Sequence, residues 1–155
     1  MSFELIQNDQ LVELAVVLCA NVFNLMIVTI FLQRSQGRGR VDIRFALKEI
    51  VLVVVLSLAT IYNWMNERGV WMVLLTGLMV IFLLFELLLD YILKLKFRQT
   101  RKLGPYLFQF YASQIGLIGY AFLSNQIFGF ITLTTYFLSL NATAYSCRKV
   151  GHGSL

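Results

Sequence analysis

Two carboxylates, Glu86 and Asp90, stand one helical turn apart near the end of a long apolar run, and Lys94 follows one turn later. An acid held in hydrocarbon is costly, so it either marks an ion, proton or ligand path or is neutralised by a neighbour. Lys94 can neutralise Asp90, and Glu86 can accept from a loop arginine or from an asparagine of the first helix. As metal ligands the pair falls short, because a hard cation takes six or more oxygens and this helix offers two side chains. A second polar pair, Asn21 and Asn24, lies one turn apart in another apolar run, so both amides share one helix face. Buried amides of this kind hydrogen-bond across helices, each bond contributing about 1 kcal/mol. Glu86, Asp90, Asn21 and Asn24 are therefore the candidates for an ion or polar path, with pairing between helices as the structural alternative.

The elements that must position these residues follow from the apolar runs. About twenty apolar residues cross a ~30 Å hydrocarbon core as a helix, and five stretches approach that length: about 11–32, 46–64, 70–94, 105–123 and 127–147. Of 155 residues, 59% are hydrophobic and only 14% charged, beyond ordinary soluble usage. The runs lack the alternation of a barrel, and Pro105 is the only proline, so long helices can satisfy the backbone in lipid. The expectation is an all-α integral membrane protein, an antiparallel bundle of about five transmembrane helices forming one domain over 1–155. The fourth run is diluted by Gln109, Ser113 and Gln114, so four crossings, with that helix lying flat on the membrane, is the alternative.

Charge orients the bundle. Five crossings with the amino end outside put twelve of the thirteen Lys and Arg residues on the cytoplasmic side and leave only Arg68 outside, as the positive-inside rule requires. Four crossings would put the tail, with Arg148 and Lys149, on the wrong side. Tyr62, Trp64 and Trp71 form an aromatic belt around the short outer loop. A cytoplasmic (inner) membrane is the expected location. The start of the chain has no basic segment and no small-residue cleavage site, so no removable signal peptide is expected.

Two cationic clusters flank the crossings. Arg34, Arg38, Arg40 and Arg44 surround the first inner loop, and Lys96, Arg98, Arg101 and Lys102 follow the third crossing. Both are candidates for binding anionic lipid headgroups. Two stripes of small and hydroxylated residues suit close helix approach: Gln109, Ala112, Ser113 and Gly116 on the fourth helix, and Thr132, Thr135 and Ser139 on the fifth. A tight hairpin at 124–126 is expected to bring these two stripes face to face.

Familiar catalytic constellations do not arise. His152 is the only histidine and lies in the tail, and no GxSxG or HExxH motif occurs. Cys19 and Cys147 fall at different depths of the bundle and form no CxxC pair. No metal and no cofactor are implied. The net charge of +5 is bunched at helix ends, which topology explains without a nucleic-acid partner. The expected partners are the lipid bilayer and other membrane subunits, or further copies of the same chain. The leading expectation is a non-catalytic subunit, scaffold or assembly partner. An oligomeric channel or transporter using Glu86 and Asp90 is the first alternative, and an anionic-lipid-binding protein the second.

Overall fold

The computed structural model describes residues 2–36, 43–89 and 104–150. Among them the chain is all helical: α1 (Ser2–Ser35), α2 (Ile43–Met65), α3 (Val70–Leu87), α4 (Gly104–Ser124) and α5 (Gln126–Val150). Four helices, α1, α2, α3 and α5, are long and apolar enough to span a membrane by length and composition. α1 starts at Ser2, ahead of the expected residue 11, because residues 2–10 carry no Gly or Pro to stop a helix. α3 is described as far as Leu87, with a wider turn at 88–89.

Consecutive helices pack in order, and α5 returns to α1, which also touches α4, so the helices close into a ring. The α1–α5 contact is the most extensive of these. Its direction is set by two bonds: Asn21 reaches Thr132 and Asn24 reaches Thr135, so a step of three on one helix matches a step of three on the other. α1 and α5 therefore run parallel. α4 is antiparallel to α3, since Tyr106 meets Glu86 and Ser113 meets Leu78 while Gly116 lies against Leu75.

The centre of the ring is filled. Met79, Phe82 and Leu83 of α3, Leu56 of α2, Leu117 and Tyr120 of α4 and Val16 of α1 are all at most 1% exposed. Phe82 anchors this core, with ring contacts to Phe23, Tyr106 and Phe110 at centroid distances of 6.2, 5.7 and 5.6 Å. Such aromatic edges add about 1 kcal/mol each beyond the area they cover. The perimeter is apolar: Leu58, Ile81, Ile115, Phe130 and their neighbours project outward.

α4 shows the same arrangement in its sharpest form. Its exposed residues include Leu107, Phe108, Ile115 and Leu123, whereas Ser113, Gln114, Gly116 and Tyr120 are buried. The polar residues that dilute this segment point into the bundle.

The two small-residue stripes do not face each other, contrary to the hairpin expectation. The α4 stripe turns to α3: Ser113 Oγ lies 3.1 Å from the Leu78 carbonyl, and the Cα of Gly116 packs on the Leu75 backbone. The α5 stripe turns to α1 through Thr132 and Thr135. Between α4 and α5 the contact is instead aromatic on glycine. The Phe122 ring sits where a Cβ on Gly129 would be, 2.3 Å from its nearest carbon, and stacks edge-on against Phe130 at 5.3 Å. A wide ring needs a missing side chain opposite it, and spacing along one helix does not reveal which neighbour supplies the ring. Asn125 closes the hairpin and caps α5, accepting the Ile127 N–H on its side-chain oxygen at 2.8 Å.

Candidate functional site

Polar side chains gather in three layers along the bundle, and α4 contributes to each: Tyr120 near the α2–α3 turn, Gln114 at mid-height, and Tyr106 toward the other end.

The first layer is built by the α2–α3 turn. The Arg68 N–H bonds the Asn63 carbonyl at 3.1 Å and the Glu67 N–H bonds the Trp64 carbonyl at 3.3 Å, with Glu67 at φ 49°. This is the paired closure that ends helices at a left-handed residue, here a glutamate where glycine is usual. Gly69, at φ 103°, then opens α3 in a conformation that side chains disfavour. The closure folds the Arg68 side chain back over the bundle. Its Nη2 bonds Glu13 Oε1, its Nε lies 3.4 Å from Asp9 Oδ1, and its Nη1 donates to Asn63 Oδ1 at 3.3 Å. Tyr62 Oη donates to the same Asp9 oxygen at 3.0 Å, and Asn63 Nδ2 donates to Tyr120 Oη at 3.4 Å. Arg68 is 12% exposed and Glu13 17%, so this is a mostly desolvated pair whose partners come from α1, α2 and α4. The sequence signal was faint. Arg68 stands out only as the lone cation assigned outside, and Glu13 is hidden within the first apolar run. The two point to each other once each is asked for a counter-charge.

The middle layer is a clasp between the parallel helices α1 and α5. Asn24 Nδ2 donates to Thr135 Oγ1 at 3.0 Å, Thr135 Oγ1 donates to Asn21 Oδ1 at 2.7 Å, and Asn21 Nδ2 donates to Thr132 Oγ1 at 3.3 Å and to the Val17 carbonyl at 2.7 Å. The Thr135 hydroxyl acts as both acceptor and donor and so relays between the two amides, while Thr132 accepts from Asn21. Ser139, one turn further along α5, is buried and bonds its own helix at Tyr136. Gln114, at mid-length of α4, is also buried.

The third layer holds Glu86. It is 8% exposed, and Tyr106 Oη donates to its Oε1 at 2.9 Å. The stripe that carries it on α3 is turned inward, with Thr76, Met79 and Leu83 buried along it.

The structure thus brings Asn21 and Asn24 together with Thr132 and Thr135, and keeps Glu86 in a separate layer with Tyr106. Gln109 and Ser113 both reach the Leu78 carbonyl, at 3.4 and 3.1 Å, and Ala112 is half-buried beside them. Asp90, Arg38, Arg40, Lys96, Arg98, Arg101 and Lys102 lie outside the described residues, Arg44 is placed only as part of α2, and Arg34 is half-buried at the end of α1. Comparison with known protein families, with curated proteins and with solved structures finds no match for this chain. Its chemistry is therefore read from the layers alone. They consist of one charged cluster, one relay of neutral dipoles and one carboxylate held by a phenol. Among the described residues no group of three His, Cys, Asp or Glu converges to hold a metal ion.

Proposed function

We propose that this chain crosses a membrane five times, with its amino end outside and its carboxyl end in the cytoplasm, and serves as a non-catalytic subunit or scaffold of a membrane complex. Two features support the topology. α4 reaches from Glu86 at one end of the bundle to Asn63 at the other and presents its apolar side outward, as a helix surrounded by lipid must. The distribution of Lys and Arg fits the same orientation, with Arg68, the one outer cation, neutralised by Asp9 and Glu13.

The observation that carries the functional reading is the filled centre. Phe82, Met79, Leu83, Leu56, Leu117 and Tyr120 occupy the axis of the ring, so among the described residues the centre of a single copy is closed by side chains, and its interior polar bonds tie helix to helix. A bundle fixed in this way presents a stable apolar perimeter for neighbouring membrane helices. The test is purification of the native protein in nanodiscs, with particle mass and co-purifying proteins read by mass spectrometry. Stoichiometric partner proteins are the expected result, and a homogeneous particle containing this chain alone contradicts it.

A transport reading draws on one further observation, the buried Glu86 carboxylate with Tyr106 as donor. In that case Glu86 serves a path between copies of the chain in a homo-oligomer. Glu86→Gln then abolishes an ion or proton flux in proteoliposomes while assembly persists, and unchanged flux ends that reading.

A further inference from the structure

Gln114 is 1% exposed, yet neither Nε2 nor Oε1 of its amide has a hydrogen-bond partner among the described residues, and the same is true of Oδ1 of the fully buried Asn24. Amides buried in apolar surroundings without partners are rare in native proteins. Depth and direction along α4 both put these two residues on one side of one layer.

Gln114 precedes the hairpin residue Asn125 by eleven positions and Thr135 follows it by ten, so across the antiparallel hairpin both stand about 15 Å from the turn at 1.5 Å per residue. Thr135 is the residue that Asn24 bonds. Ser113 faces α3, and Gln114 lies about 100° further round the helix. It falls on the arc between Leu117, which is in the core, and Phe122, which covers Gly129 of α5. Gln114 therefore faces the side where α1 and α5 are clasped. Ala20, one turn before Asn24 on α1, is also buried.

The unmet set comprises one donor group and two acceptors. Water both donates and accepts, and an internal water is held by two to four polar partners. We propose that this layer binds one or two internal waters that accept from Gln114 Nε2 and donate to Gln114 Oε1 and Asn24 Oδ1, joining α4 to the α1–α5 clasp. The inference stands whether or not the chain serves a larger complex.

The test uses the full chain in nanodiscs with ¹⁵N-labelled glutamine. The side-chain NH₂ signal of Gln114 is assigned by its loss in Gln114→Met, and through-space transfer from water is then recorded. A direct water contact at Gln114 is expected, and it should persist in Thr135→Val, which removes relay through the hydroxyl that Asn24 bonds. A Gln114 amide with no water contact overturns the proposal. Melting temperatures supply a second readout. Gln114→Met and Asn24→Leu should each lower the midpoint, and the double substitution should lower it by less than the sum of the two, because they share one site while Asn24→Leu alone also loses the bond to Thr135. A rise in the midpoint of Gln114→Met overturns the proposal, since removal of an amide that holds nothing relieves a buried polar group. Should Gln114→Met fail to fold, signals are assigned by substituting the other glutamines, and the water contact in the unaltered chain decides.

Discussion

The Arg68 cluster and the Asn21–Thr135 clasp bury polar groups in the same bundle by opposite means. At the α2–α3 turn the groups form ion pairs, the guanidinium is shared among Glu13, Asp9 and Asn63, and Asp9 keeps 36% of its side chain exposed. At mid-height the groups are neutral and shielded, and the relay leaves Asn24 Oδ1 and the Gln114 amide unmet. The difference follows the local dielectric. This is the arrangement that the proposed membrane crossing calls for, since a charge becomes more expensive with depth in hydrocarbon and dipoles are cheaper to hold at mid-height. It follows that the two regions should respond very differently to loss of one partner.

The largest effect is expected at the rim. Arg68→Leu leaves Glu13 and Asp9 without their cation and should cost about 3 kcal/mol of stability. The double substitution Arg68→Leu with Glu13→Leu should recover much of that loss, because replacing both members of a buried pair by apolar groups is nearly neutral. Unfolding midpoints in detergent measure both, and a double variant weaker than the single one would break the contrast. Next comes Gly129→Ala, which places a carbon inside the Phe122 ring and should cost about 2 kcal/mol through overpacking. Phe122→Leu in the same chain should relieve it.

In the clasp the expected loss is smaller. Asn21→Leu removes bonds to both threonines and should cost about 1 kcal/mol, in line with hydrogen bonds between membrane helices. If it costs more than Arg68→Leu, the ranking of rim over centre fails. The smallest effect has the opposite sign. Glu67 occupies a left-handed conformation at φ 49°, so Glu67→Gly should stabilise the turn by about 0.5 kcal/mol and leave the Arg68 contacts intact.

Much of this architecture is legible in the sequence, because it depends on patterns within one segment. Apolar runs mark the helices, and the i,i+3 spacing of Asn21 and Asn24 puts both amides on one face. What the sequence withholds is pairing between segments. The stripes on α4 and α5 look complementary, yet Ser113 and Gly116 meet α3 while Thr132 and Thr135 meet α1. Choice of neighbour is decided by where Phe122 finds room over Gly129 and by closure of the ring, and neither is written in a helical period. Glu13 was hidden for a related reason: an acid inside an apolar run declares its role only when Arg68 is folded back onto it by the Glu67 turn.

The most direct test concerns α4, whose proposed crossing sets the side on which everything after it lies. With Cys19 and Cys147 replaced by serine, single cysteines are placed at the exposed positions Gln126 and Lys149, and intact cells are treated with a membrane-impermeant maleimide. Labelling of Gln126→Cys in intact cells, with Lys149→Cys labelled only after permeabilisation, is the expected result. Protection of Gln126→Cys together with labelling of Lys149→Cys would mean that α4 does not cross, and would contradict the five-helix topology.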